Sequence, residues 1–378
     1  MFGFFSKISE QKIKELLTKA NNLYEQKKFA DAIKIYRRIL KRDPKHFAAR
    51  ANLATAYFET ENFKAAAPLF AELIRCDTAN PWWHNYLSQT CQQTGRLQQA
   101  LAEAWQAVVL SGGQKEHQLN LAYTIYETAD MIGYDTVDSV LQKWHRKYPH
   151  NAIVRQCYKS FHQDNKFICS EPEYVESLFD VFAPDFDKVL AELGYCVPQE
   201  IRRMLAEYFA GKVMAKKWIL DLGCGSGLCA SAVAEIFPQS RFVGMDISTG
   251  MLKEAERKNI YTSLIQGNIS ACGKQIKRRF SVVTAADVFT YFGRLDSLFA
   301  EVGKLLFRNG VFAFSISENT TNGKDFFLMP SSRFVHRPEY VENVLRKQGF
   351  EVVKNERKIL RTEGEKEVAG RIILAVKK

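Results

Sequence analysis

Between Trp218 and Phe237 the chain runs from an apolar stretch into three glycines at alternate positions, then into apolar residues at helical spacing. Trp218 to Leu220 reads as a buried strand, Gly223, Gly225 and Gly227 as a turn, and Leu228 to Phe237 as a helix. Strand, glycine turn and helix in that order form the nucleotide-holding corner of a doubly wound sheet. Glycine is required where backbone approaches a ligand closely, because a Cβ would occupy the ligand's space. No other stretch restricts the possible folds as much.

Two patterns overlap in the turn. Gly225-Ser226-Gly227-Leu228-Cys229-Ala230 fits the G-x-G-x-x-G/A dinucleotide fingerprint, which by itself points to an NAD-dependent oxidoreductase. The wider pattern Asp221-x-Gly223-x-Gly225-x-Gly227 places an acid on the strand before the first glycine. A carboxylate there crowds a pyrophosphate but suits a cationic ligand carrying an ammonium group. The wider pattern resembles motif I of the class I S-adenosylmethionine (SAM) methyltransferases. That resemblance implies SAM as cofactor, held by Asp221, Gly223, Gly225 and Gly227.

From Lys217 onward strands and helices alternate, which predicts a mostly parallel sheet covered on both faces. Arg241–Asp246 is a second strand ending in an acid, where a carboxylate accepts from ribose hydroxyls. Asp246 and the following Ile247 are therefore expected at the cofactor, with Ser248-Thr249 capping the next helix. After the third strand, Asn268 stands where the family usually has Asp against adenine, and Ile269 is expected to pack on the ring. The fourth strand, Ser281–Asp287, ends at the topological switch point, and Ala285–Gly293 resembles the family's motif after this strand, which implies Ala286 at the cofactor and Asp287 and Tyr291 at the pocket mouth. Here Ser281 departs from the family's usual Asp. A fifth strand over Gly310–Ser317 and a closing antiparallel pair, Phe350–Ile359 and Val368–Val376, complete a methyltransferase-like rather than an NAD-type sheet. Pro330–His336 followed by Glu339-Tyr340-Val341 resembles bacterial TPR-linked methyltransferases, with Ser332 in place of a glycine. The resemblance implies displacement at a sulfonium methyl, which needs a general base only for a protonated acceptor; the candidates are His336, Tyr291 and Asp287.

The first half of the chain reads differently. Ala20, Ala54 and Ser88 are spaced by 34, as are Ala32, Ala66 and Ala100, and Tyr36, Phe70 and Ala104. A 34-residue period with small residues where paired helices cross is the tetratricopeptide repeat (TPR) signature. A fourth, degenerate unit begins near Lys115, with an insertion expected at Met131–Thr136 before a helix over Val137–Lys147. Asn151–Phe167 is expected to cap the array. Such arrays usually present a protein- or peptide-binding groove, here with Asn22, Arg50, Asn52 and Tyr86 as candidate lining. Beyond it, Glu173–Asp187 and Tyr195-x-x-Pro198 resemble the helical extension before motif I in TPR-linked methyltransferases. The resemblance implies that Tyr174, Phe179 and Phe182 shape or cover the site.

The expected organisation is a TPR α-solenoid over residues 1–165, a helical extension over 166–215, and a Rossmann-like seven-stranded methyltransferase domain with an antiparallel last strand over 216–378. Residues 1–50 hold 13 Lys/Arg against 5 Asp/Glu, a surplus of eight within a total net charge of +11. This excess can steer an acidic partner, but no helix-turn-helix, zinc-finger or RNP-type motif ties it to nucleic acid. No apolar run approaches membrane-spanning length. The eight cysteines form no C-x-x-C pair and no metal-spaced cluster, so no metal is expected and the thiols read as those of a cytoplasmic protein. The sequence thus predicts a SAM-dependent methyltransferase whose repeats recruit an acceptor or partner protein, the acceptor being a small molecule or a protein. A TPR adaptor with an inactive methyltransferase-like domain and an NAD-dependent oxidoreductase are the alternatives.

Overall fold

The computed structural model describes residues 2–163, 166–211, 216–320, 323–363 and 366–378, with side chains from Glu10 onward. By its contacts the chain divides into two compact units, Met1–His150 and Asn151–Lys378.

Paired helices build the first unit: α1 (Phe2–Glu25), α2 (Phe29–Arg42), α3 (Phe47–Glu59), α4 (Phe63–Cys76), α5 (Pro81–Gln93), α6 (Leu97–Leu110), α7 (Lys115–Ile132) and α8 (Tyr134–Lys147). Their starts follow local chemistry. The Asn62 side chain accepts from the Ala65 N–H, and Asn80 accepts from the Trp82 N–H just after Pro81. Every small residue of the 34-residue period (Ala20, Ala32, Ala54, Ala66, Ser88, Ala100) is fully buried. Small side chains at these positions let neighbouring helices approach, and the Ser88 hydroxyl donates to the Ala100 carbonyl at 2.8 Å. Large apolar residues fill the space between: Phe70 is fully buried and stacks on Tyr86 with ring centroids 5.2 Å apart.

Two expectations change here. The extra residues expected as an insertion at Met131–Thr136 are taken up as helix: α7, 18 residues against 13 for α5, continues to Ile132, and Gly133, at φ 92°, turns the chain into α8. The segment Asn151–Phe167, expected as the cap of the array, falls outside the first unit. Its helix, α9 (Ala152–Phe161), belongs to the second unit, where Gln156 donates to the Ser170 hydroxyl and the Ser332 carbonyl. Of the proposed groove residues, Arg50 is paired with Glu72 at 2.9 Å and Asn52 donates to Asn21.

The second unit continues with α10 (Pro172–Phe182), α11 (Phe186–Glu192) and α12 (Val197–Phe209), and then alternates. In order follow β1 (Trp218–Leu222), α13 (Leu228–Ala234), β2 (Arg241–Asp246), α14 (Thr249–Arg257), β3 (Tyr261–Gln266), α15 (Cys272–Gln275), β4 (Phe280–Ala285), α16 (Asp296–Leu305) and β5 (Leu306–Ser317). A short ribbon of β6 (Phe326–Leu328) and β7 (Phe334–His336) precedes α17 (Pro338–Lys347), β8 (Phe350–Glu363) and β9 (Lys366–Lys377). The main sheet has the order β3-β2-β1-β4-β5-β9-β8, with β9 antiparallel to both of its neighbours. Strand order reverses between β1 and β4, so the loops leaving these two strands diverge and open a crevice at their carboxyl ends.

Alternation along the strands fills two apolar layers. Leu220, Val283, Phe312 and Phe314 face α16 and α17, while Ile219, Val282, Val311 and Ile372 face α12 and α13. The central strands are therefore buried on both faces, as their near-continuous apolar sequences require, while the edge strands β3 and β8 are partly exposed.

In the first unit, Phe70→Ala is expected to cost about 3–5 kcal/mol, the usual price of emptying a large aromatic site. Urea unfolding followed by circular dichroism measures this; a change below about 1 kcal/mol would show that the array repacks around the gap.

Candidate functional site

A cavity of about 1460 Å³, counting its open mouth, lies at the carboxyl ends of β1, β2 and β4. The glycine turn forms its floor. Gly223 adopts φ 62°, and a Cβ there would lie 2.5 Å from the Val288 side chain, so only glycine fits. Gly225, at φ 52°, lines the cavity opposite the Phe186 ring of α11.

Asp246 organises the floor. Its Oδ2 accepts from the Gly225 N–H at 2.8 Å and its Oδ1 from the Ser248 N–H at 2.9 Å. Burial pushes its pKa up, although the N–H groups of Ser248 and Gly225 stabilise the anion. Ser248 also accepts from the Met251 N–H, so the predicted cap of α14 forms. Ile247, Gly267, Asn268, Ile269 and Ala286 continue the wall. The Asn268 amide oxygen accepts from the Ser270 N–H at 2.9 Å and so caps the short turn that follows.

Asp221 and Gly227 are not in the wall. Asp221 is 1% exposed and turned beneath the turn, accepting from Tyr261 Oη at 2.8 Å and Thr284 Oγ1 at 2.7 Å. Burial raises its pKa to about 6 against these two stabilising bonds. Gly227 starts α13 at φ 90° and packs under Tyr261.

The three general-base candidates separate in space. His336 lies on β7, fully buried and outside the cavity, with Nε2 donating to the Phe292 carbonyl at 2.7 Å. Burial lowers its pKa to about 4. Its alternating position on a strand paired with β6 turns it into the protein, so the structure does not bring it to the acceptor. Tyr291 lines the cavity edge-on to Phe179, with centroids 5.5 Å apart, but burial raises its pKa and disfavours the phenolate. Asp287 lines the cavity in a left-handed conformation, φ 60°, and pairs with Arg361 Nη1 at 2.5 Å.

Helices α10 and α11 form the opposite wall with Leu178, Phe179, Phe182, Phe186, Val189 and Leu190. Tyr174, also singled out in the sequence, is buried away from the cavity. These helices are held at the floor by two carboxylates of the Glu173–Asp187 stretch to which the sequence assigns no role. Asp180 Oδ1 accepts from Ser248 Oγ at 2.7 Å and the Gly250 N–H at 3.1 Å. Asp187 accepts from Ser226 Oγ and pairs with Lys258 at 2.7 Å. The wall also holds two arginines with no role assigned from the sequence, Arg333 and Arg361. All of these act across long sequence separations, and single residues of common type carry no local signal.

A glycine-floored cavity at the switch point of a seven-stranded sheet with a reversed last strand defines the class I methyltransferase fold, joined here to a helical repeat array. Sequence comparison agrees. Residues 219–310 match a methyltransferase domain family and residues 17–81 a tetratricopeptide repeat family. The chain thus carries a tetratricopeptide repeat followed by a methyltransferase domain.

Over 181 residues it is 28% identical to a malonyl-[acyl-carrier protein] O-methyltransferase of Legionella pneumophila, covering 44% of this chain and 58% of that protein. It is 29% identical over 105 residues to a trans-aconitate 2-methyltransferase of Paracidovorax citrulli, covering 28% of this chain and 40% of the relative. The chain therefore spans about half the length of the curated relatives it matches. A solved structure of a S-adenosylmethionine-dependent methyltransferase from Clostridium acetobutylicum is similar at 20% identity with a TM-score of 0.40, over 53% of this chain and 99% of that one.

Two outcomes test this geometry. Replacing Asp180 and Asp187 together by Ala is expected to raise chymotryptic cleavage after Phe179 or Phe182 about tenfold, since each lost charged bond is worth about 1.5–3 kcal/mol before solvent screening. Unchanged cleavage would mean that apolar packing alone holds α10 and α11.

Asp221 gives a pH signature. Its folded pKa of about 6 exceeds the unfolded value, so the folded state binds the proton more tightly. That contribution is full below about pH 4 and is lost as pH rises through about 6. The stability of Asp221→Asn relative to the parent should therefore improve from pH 4.5 to 7.5, by about 2 kcal/mol. Thermal denaturation at the two pH values measures the gap; a constant gap would show Asp221 ionised throughout.

Proposed function

We propose that this protein transfers a methyl group from SAM to an acceptor bound in the α10–α12 side of the same cavity. The observation that carries the reading is the Asp246 carboxylate at the edge of a glycine floor, at the carboxyl end of β2. The residues present fit such a donor. Asp246 offers a buried acceptor to ribose hydroxyls, Ile247 and Ile269 offer apolar surface to a purine, and Gly225 leaves the floor without a Cβ. Asp221, beneath the floor, adds negative potential where a cationic group would lie.

Bound SAM supplies an activated methyl on a sulfonium and a neutral leaving group. The chain's own residues then have to align and to exclude water. The apolar faces of α10 and α11 do the second, and a drier cavity strengthens every charge interaction inside it. Asp287 is the cavity carboxylate able to take a proton from a protonated acceptor, and Arg361 Nη1 fixes its position. In this reading Tyr291 shapes the cavity and His336 supports the β6–β7 ribbon.

The repeat array serves recruitment of the acceptor or of a protein that delivers it. The basic surplus of residues 1–50 supports a partner of acidic surface, whose association slows as salt rises.

Calorimetry on the full chain tests the donor site. S-adenosylhomocysteine is expected to bind and NAD is not. Asp246→Ala should weaken the first by about 2–4 kcal/mol, the worth of two hydrogen bonds to a charged acceptor. No heat from S-adenosylhomocysteine at millimolar concentration would overturn the reading.

A further inference from the structure

At the far end of the cavity from Asp246 stand two arginines that the donor site does not use. Arg361 belongs to β8, at the opposite sheet edge from β3, and Arg333 lies just before β7. Both line the cavity, next to Asp287 and Tyr291. Arg361 is 3% exposed, so its guanidinium has given up nearly all of its hydration.

The carboxylates around the pair are few. Arg361 donates through Nη1 to Asp287 Oδ2 at 2.5 Å and through Nε to Glu363 Oε1 at 2.7 Å. Arg333 Nη1 donates to that same Glu363 oxygen, and the Tyr291 hydroxyl and the Asp287 carboxylate also lie near it. Two guanidiniums carry ten N–H donors, and a single carboxylate oxygen here serves both of them. Burying arginine is favourable only where its charge and its donors are met, and a planar, two-donor edge is matched best by a carboxylate. Leu190, Leu193 and Pro198 make this end of the cavity largely apolar, and Tyr195 adds a ring with a hydroxyl near Asp287 and Arg361. An anion entering there meets the two guanidiniums, with the hydroxyls of Tyr195 and Tyr291 beside them.

We propose that Arg333 and Arg361 form a carboxylate-binding subsite and that the carboxylate it takes belongs to the methyl acceptor, an acid with an apolar body. The assignment rests on the methyl-transfer reading above and names its acceptor class. Topology favours the acceptor over the donor's own amino-acid carboxylate. The arginines come from β8 and the approach to β7, on the side of the switch point away from β2 and β3, which carry Asp246 and lead to Asn268. Glu363 then acts as an internal competitor that occupies the guanidiniums until the acceptor arrives.

The test uses the full chain saturated with S-adenosylhomocysteine and titrated with hexanoate, phenylacetate and malonate, each against its neutral amide. At least one acid is expected to bind while its amide does not. Arg333→Gln should weaken that acid about tenfold and leave S-adenosylhomocysteine affinity unchanged. Glu363→Gln should tighten the acid severalfold, a change that a merely structural ion pair would not produce, and it keeps the test open should the arginine variant fold poorly. Binding of no acid to the parent complex would overturn the subsite while leaving the donor site standing. A tenfold loss of S-adenosylhomocysteine affinity in Arg333→Gln, without a selective loss of the acid, would overturn the assignment to the acceptor and give the arginines to the donor's carboxylate. Failure of S-adenosylhomocysteine to bind the parent at all would instead strike the underlying methyl-transfer reading.

Discussion

A single buried carboxylate sets the geometry of the cavity. Asp246 ends β2, and its two oxygens receive N–H groups from the glycine turn after β1 and from the entry to α14. Neither loop could hold its course alone: the turn has glycines at positive φ, and α14 begins only three residues beyond the acid. Joining both to one side chain costs the desolvation that raises the Asp246 pKa. What the fold gains is a floor whose N–H groups and carboxylate are fixed before any ligand arrives, so that binding does not have to order them.

The opposite wall is built on a different principle. Helix α11 buries no residue fully and α10 only Tyr174, yet their apolar side chains face the cavity. They are held by Asp180 and Asp187, each meeting a hydroxyl or N–H of the floor. Wall and floor therefore depend on one another through Ser226 and Ser248, the latter also the cap of α14. A segment of this kind opens at lower free energy than the strands beneath it. Such an element suits a cavity that must admit and release two partners.

Charge in the second unit is similarly divided. Asp221 and Asp246 put negative charge beneath and beside the glycine turn, whereas Arg333 and Arg361 put positive charge at the other end, balanced by Asp287 and Glu363. In the first unit the polar residues instead satisfy one another, as Arg50 does with Glu72 and Ser88 with Ala100. The basic surplus near the amino end is carried mainly by exposed faces of α1 and α2.

The sequence by itself determined both architectures. A 34-residue spacing of small residues can be satisfied only by repeated helix pairs that cross at those residues, and Ala20, Ala54 and Ser88 are indeed at the crossings. Glycines at alternate positions after an apolar strand fix a tight turn by backbone sterics alone, and the reversed last strand was legible from two apolar runs after the final helix. These signals are local and periodic, so they survive without coordinates. Tertiary structure decided the rest. It turned Asp221 beneath the floor toward Tyr261, took His336 out of the cavity, and moved α9 into the second unit. It also brought Arg361 beside Asp287 across 74 residues of chain. Such placements depend on which face of a strand meets which helix and on partners far apart in sequence, and no single residue type or spacing encodes them.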